Sequence, residues 1–141
     1  MNLFLDSNIW IRYFVSDDAE KFTSCRQLFQ VIDQGVIRPY VSTIVLLEVY
    51  WVVTSVYKRS IDQARIYIET MLAMRGLVIV EKTDFLRAFM LHQHTHMKLA
   101  DCLIATQLPS GVTLCTYDQE FRKIPRVSII EPQEAVGKRT S

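Results

Sequence analysis

Short apolar runs of strand length alternate along this chain with stretches of helical length, and that alternation restricts what it can fold into. Residues 2–6 (NLFLD), 36–41, 77–80, 112–116 (VTLCT) and 127–130 (VSII) read as strands. Between them lie segments bounded by helix signals. Ser7 or Asn8 is placed to cap a helix running to about residue 15, and Asp17 and Asp18 open a second that ends near Gln34, ahead of Gly35. Ser42 is placed to cap a helix from Thr43 to about Tyr57. The SIDQ segment at residues 60–63 has capping-box form and starts another, which stops before Gly76. Thr83 is placed to cap a helix that reaches into HQHTH (residues 92–96) and continues over residues 99–108 up to Pro109. Pro39 puts the second strand near an edge or Pro39 itself near a strand end, and the tail after Pro132 reads as loosely ordered. Strands separated by helices predict an α/β domain built on a mainly parallel sheet, in which ligands bind outside the carboxyl ends of the strands.

Composition narrows the class. A chain of 141 residues that is 50% hydrophobic and 22% charged is too apolar to be disordered, and its length suits a single domain over residues 1–141. No apolar run approaches the roughly 20 residues of a membrane span, and the start MNLFLD lacks the basic segment of a secretory signal. Cys25, Cys102 and Cys115 are far apart, without a CxxC pair, which fits buried thiols in a reducing cytoplasm. With 16 basic and 15 acidic residues the net charge is +1, which argues against a broad polycationic surface but not against a local basic patch.

The distribution of the acids is more informative than their number. Asp6 is the only charged side chain in residues 1–11, Glu48 the only one between Pro39 and Tyr57, and Asp101 the only one in residues 99–117. Asp118 stands just beyond the strand VTLCT. Asp6, Asp101 and Asp118 each have an ordinary reading as a cap or turn residue. Glu48 has none, because it lies in the middle of an apolar helix. An isolated buried carboxylate costs several kcal/mol, on the order of the ion-desolvation penalty, unless something compensates it, and no Lys or Arg lies within these runs. If the strands are parallel neighbours, Asp6 and Asp118 share one rim of the sheet, and departing helices bring Glu48 and Asp101 over it. Four converging carboxylates repel. A hard divalent cation relieves that, and oxygen-only ligands select Mg2+ or Mn2+ over zinc.

The segments DSN at the first strand end, ST followed by a Glu in an apolar helix, ADCLIA and TYDQEF together resemble the PIN domain, most closely the small VapC-type toxins of prokaryotic toxin–antitoxin pairs. The resemblance spans nearly the whole chain in the family's order and spacing. It implies a PIN-like α/β fold with a five-stranded, mainly parallel sheet flanked by helices on both faces. It implies a metal-dependent endoribonuclease that hydrolyses RNA phosphodiester bonds with metal-activated water and leaves a 5′-phosphate and a 3′-hydroxyl. Carried across, the acidic quartet falls on Asp6, Glu48, Asp101 and Asp118 as metal ligands, with Mg2+ or Mn2+ as cofactor. Thr116 takes the place of the small polar residue before the last acid, where it would orient Asp118 or a water on the metal. Asn8 occupies the DxN position and would hold Asp6, and Phe121 reads as packing. Expected partners are RNA, a cognate antitoxin and a second copy of the chain, with no membrane.

Other features have competing readings. His92 and His96 would share a helix face as a zinc pair, but an exposed helix end fits them better, with Lys98 beside it near RNA phosphate. Arg12, Arg122 and Lys123 are further candidates for RNA phosphate contacts, as are Lys58, Arg59, Arg65 and Arg126; solvated loop charge is the plainer account. The aromatic-rich helix around Tyr50, Trp51 and Tyr57 reads as core, or as a groove for a dimer or an antitoxin. An aspartyl-phosphate phosphatase would need an acid where Asn8 stands, and a Lys that residues 99–117 lack. Three readings within the fold stay open beside the toxin: a nuclease of RNA maturation, a DNA-processing nuclease, and a non-catalytic RNA- or protein-binding module.

Overall fold

The computed structural model describes residues 1–138. Its elements run β1 (Asn2–Leu5), α1 (Ser7–Phe14), α2 (Ala19–Asp33), β2 (Arg38–Ser42), α3 (Thr43–Ser55), α4 (Ile61–Leu72), β3 (Val78–Val80), α5 (Phe85–Thr95), α6 (Leu99–Gln107), β4 (Thr113–Cys115), a 3-10 turn (Gln119–Lys123), β5 (Ile129–Ile130) and α7 (Pro132–Gly137). The five strands form one sheet in the order β3-β2-β1-β4-β5, and every pair is parallel. The expected α/β architecture is what the chain adopts. β1 lies at the centre, so Leu3, Phe4 and Leu5 are fully buried in succession, as befits a strand covered on both faces. Right-handed crossovers put the helices after β1 and β2 on one face of the sheet and those between β3 and β4 on the other.

Pro39 is the second residue of an internal strand. Arg38 N donates to Met1 O at 2.9 Å, so the next position faces β3, which begins opposite Tyr40. The missing N–H of Pro39 therefore falls one residue ahead of its neighbour strand and costs no ladder bond.

Several boundaries differ from the sequence reading. Asp6, rather than Ser7 or Asn8, caps α1, accepting from Ser7 N at 2.8 Å. Asp84, rather than Thr83, caps α5 through Arg87 N at 3.1 Å. The expected continuous helix through HQHTH is two helices, because His96 adopts a left-handed conformation (φ 59°) and ends α5. Thr95 Oγ1 then accepts from Met97 N at 3.2 Å, and His92 Nδ1 lies 2.5 Å from Met97 O, which fixes the corner. Ser60 caps α4 as expected, accepting from Gln63 N at 3.1 Å. The segment after Pro132 is not loosely ordered: it forms α7, which packs on α2 with Ala135 fully buried. Pro132 takes the first helical position, where its fixed φ favours a helix start; residues 139–141 lie outside the described residues.

All three cysteines are buried and free. Among the described residues no helix is long and apolar enough to cross a membrane.

Candidate active site

From β1 the chain moves outward through β2 to β3, then crosses back to β4 on the other side of β1. The strand order thus reverses between β1 and β4, and in open parallel sheets the carboxyl ends at such a point form a ligand-binding crevice. Asp6 follows β1, and Thr116 and Asp118 follow β4, so all three stand at that crevice.

A hydrogen-bond network ties the two strand ends together. Thr116 donates its hydroxyl hydrogen to Asp6 Oδ2 at 2.8 Å, while its oxygen accepts the backbone N–H of Asp118 at 3.0 Å. Asn8 Nδ2 donates to Asp6 Oδ2 and to Thr116 Oγ1, both at 3.1 Å, and Asn8 Oδ1 accepts from Tyr117 N at 3.3 Å. Only one orientation of the Asn8 amide satisfies all three. Thr116 therefore holds the Asp118 backbone and the Asp6 carboxylate, and has no hydroxyl hydrogen left to orient the Asp118 side chain.

The other acids approach from helices. Asp101 is the third residue of α6 and 8% exposed, with no hydrogen bond to its carboxylate among the described residues. Glu48 sits on α3 beside the buried stripe of Val45, Val49 and Val53, and its Oε1 is buried without a partner. Asp118 Oδ1 accepts from Glu120 N at 2.9 Å, so the turn role open to it in the sequence is also filled.

The charges feel one another. Burial raises the Asp6 pKa from 3.8 to about 6; the hydrogen bonds from Thr116 and Ser7 oppose the rise, and the charges of Glu48 and Asp118 add to it. Burial likewise raises Asp101 to about 7, reinforced by repulsion from Asp6, Glu48 and Asp118 and partly offset by Lys98. Four carboxylates thus share one electrostatic site with little positive charge to balance them.

That donor set suits a hard cation. The acids offer oxygen only, one buried oxygen is unpaired, and two protons are held far above the usual carboxylate range. As placed, no three His, Cys, Asp or Glu side chains among the described residues are gathered closely enough to hold one ion. Coordination would therefore require carboxylates to turn inward, and the unbonded Asp101 and Glu48 are freer to do so than Asp6.

Among the described basic candidates, Lys98 acts on Asp101, lowering its pKa. Arg12 is paired with Asp17 at 2.9 Å, and Tyr57 donates to the same carboxylate at 3.0 Å. Arg122 Nε donates to Gln119 at 2.6 Å, and Lys123 pairs with Glu120 at 3.6 Å on the turn after Asp118. The histidines build no metal site: His96 leaves the helix, so it shares no helix face with His92, and His94 Nδ1 lies 2.8 Å from Met90 O.

Besides its place in the ST segment ahead of Glu48, the sequence reading gave Ser42 a helix cap, which it does not provide. It is fully buried, makes no side-chain bond to α3, and its Oγ has no partner. A serine between a strand and a helix looks like a cap in any sequence, and the ST segment of the resemblance named no role for its hydroxyl.

Comparison with known proteins agrees with this architecture. No curated protein matches the chain. Among solved structures, the chain is similar to one in VapBC2 from Rickettsia felis bound to a DNA fragment from their promoter, with TM-score 0.67 and 19% identity over 93% of this chain and 98% of that one. It is also similar to one in a toxin–antitoxin complex from Klebsiella pneumoniae, with TM-score 0.57 and 21% identity over 92% and 97%. At these identities the likeness speaks for the fold. The family model for the PIN domain matches residues 3–127, nearly the whole α/β unit with all four acids inside it, and the chain belongs to the PIN domain family.

Proposed function

We propose that this chain is a Mg2+- or Mn2+-dependent endoribonuclease, the toxin of a toxin–antitoxin pair. The observation that carries the reading is the four-carboxylate crevice, with Asp6 and Asp101 raised to about 6 and about 7 by burial and mutual repulsion. Stored negative charge of this kind is what a divalent cation neutralises. Such a cation, when bound, balances phosphate charge and activates water for hydrolysis. Asp6, Glu48, Asp101 and Asp118 would hold it. Asn8 and Thr116 fix Asp6 in orientation and tie it to the strand bearing Asp118. Lys98, exposed at the start of α6, is the basic residue best placed to meet substrate phosphate; Arg12, Arg122 and Lys123 would have to leave their present partners.

Partners of the toxin type suit the surface. Leu47 and Trp51 on α3 are each 61% exposed, and Ile61 and Ile66 on the neighbouring α4 are exposed as well. A second uncovered apolar set, Phe85, Leu86, Phe89 and Met90, lies on α5. Two such faces are what a chain that binds both an antitoxin and a second copy of itself requires. Three buried free thiols suit a cytoplasmic setting.

The test is cleavage of end-labelled RNA by purified protein with Mg2+, with Mn2+ and with EDTA. Cleavage that requires the metal and leaves 3′-hydroxyl ends supports the reading. A protein that binds RNA but never cuts it is a binding module instead, and one that cuts only DNA belongs to DNA processing.

A further inference from the structure

Strand register places a second hydroxyl beside Asp6. Phe4 opposite Tyr40 is the last pair of the β1–β2 ladder, and continuing that register two residues puts Ser42 across from Asp6. Leu5 is opposite Cys115, so one residue on, Thr116 is opposite Asp6 from the other side. Ser42 and Asp6 are both in extended backbone, with ψ of 163° and 160°. Residues in register on parallel strands point to the same face. The row across β2, β1 and β4 therefore reads hydroxyl, carboxylate, hydroxyl.

The two hydroxyls differ in what they do. Both residues are fully buried, but Thr116 is bonded to Asp6 and Asp118, whereas Ser42 Oγ has no partner. Ser42 stands at the cap of α3 without using its side chain there, while Asp6, Asp18, Ser60 and Asp84 all cap their helices. Glu48 Oε1, on the helix that Ser42 precedes, is also buried and unpaired. Buried polar atoms are nearly always satisfied, and an exception marks a place for ordered water or an ion. Here two exceptions adjoin Asp6, since Ser42 is its strand neighbour and Glu48 acts on its charge. A small hard cation keeps several of its own waters, and those waters need hydrogen-bond partners around the carboxylates.

We infer that Ser42 is a positioning residue for the hydrated divalent cation, its hydroxyl bonding a water of the ion's shell on the Glu48 side of the site. The inference rests on the metal-dependent reading above. Thr116 stiffens one flank of Asp6 permanently, and Ser42 serves the other flank only when the hydrated ion is present. An outer partner of this kind tunes metal affinity without being needed for the fold.

The experiment is calorimetric titration of the full chain with Mg2+, alongside thermal unfolding in EDTA, for wild type, Ser42→Ala and Ser42→Thr. The expected result is that Ser42→Ala unfolds in EDTA no earlier than wild type but binds Mg2+ about 10-fold or more weakly. Ser42→Thr, which keeps the hydroxyl, binds as wild type does. Unchanged Mg2+ affinity in Ser42→Ala overturns the inference and leaves the nuclease reading intact. Early unfolding of Ser42→Ala in EDTA with unchanged affinity overturns it as well, by making Ser42 structural. Wild type that takes up no Mg2+ overturns the metal-dependent reading and this inference together.

Discussion

Asp6 and Asp101 are buried to nearly the same degree, 2% and 8% exposed, yet their surroundings differ. Asp6 accepts hydrogen bonds from Thr116, Ser7 N and Asn8, and those from Thr116 and Ser7 work against burial and hold its pKa to about 6. Asp101 accepts none among the described residues, and its pKa climbs to about 7. One carboxylate is locked into the β1–β4 seam; the other is held in place by helix packing alone. A site built this way has a fixed half and a half that a cation must recruit, and at the second half protons and cations compete for the same oxygen.

The sharpest way to break this contrast is to remove each charge in turn. Both Asp6→Asn and Asp101→Asn should lose more than about 100-fold of cleavage, since even outer partners of a metal cost roughly 10–100-fold. Their stabilities should separate. Asp101→Asn gives up repulsion and no hydrogen bond, so it should unfold at a higher temperature than wild type in EDTA at neutral pH. Asp6→Asn should not, because its amide would set an N–H against the donors of Ser7, Asn8 or Thr116. Equal stabilisation of both variants would mean that the network around Asp6 does nothing.

Thr116→Val probes the fixed half directly. It removes the donor to Asp6 and the acceptor for the Asp118 amide in one step. The expected cost is roughly 1–3 kcal/mol of stability from groups left unpaired and about 10–100-fold in cleavage. Chemical denaturation and initial rates on one RNA check the two effects separately. A drop in stability with unchanged cleavage would reduce Thr116 to a strut.

Proton linkage gives a third measure. Both folded-state pKa values lie above the ordinary 3.8, so between about pH 4 and 7 the folded chain binds more protons than the unfolded one. Stability in EDTA must then fall as pH rises through that window, and the loss is complete above it. Two pH units at Asp6 correspond to about 3 kcal/mol. Thermal unfolding from pH 4 to 8 should show the decline, with Mg2+ reversing it at the neutral end and Asp101→Asn flattening it. A melting temperature that rises over the same range would show that the carboxylates are compensated after all.

The strand–helix alternation and the solitary acids were legible in the sequence because each reduces to periodicity or to a charge with no neighbour of opposite sign. The meeting of Asp6 with Asp118 followed once their strands were taken as parallel neighbours sharing one rim, whereas the order of the strands in the sheet comes from the structure alone. What stayed hidden depended on choices between equivalent local signals. Asp6, Ser7 and Asn8 are all capping residues, and only the backbone decides that Asp6 caps while Asn8 reaches across to Thr116. Ser42 carries the same cap signal as Ser60, and only burial and strand register separate them. The tail after Pro132 reads as loose until α2 supplies a surface for α7 to cover. Nor does the spacing of Arg12 and Asp17 reveal that they pair, since α1 has ended by Val15 and the loop brings them back together.

The basic residues offer the finest test of the recruited half. Lys98 lowers the Asp101 pKa from an exposed position, so solvent screening limits its effect to the range of surface ion pairs, about half a pH unit or less. Lys98→Ala should therefore move the acid limb of Mg2+ binding, measured at subsaturating metal, upward by that amount. Arg12, spent on Asp17 and Tyr57, should leave the limb where it is when changed to Ala. If Arg12→Ala shifts the limb as far as Lys98→Ala does, charge near Asp101 is set by the whole surface and not by the residue at the head of α6. In that case the contrast between the two carboxylates narrows to hydrogen bonding alone.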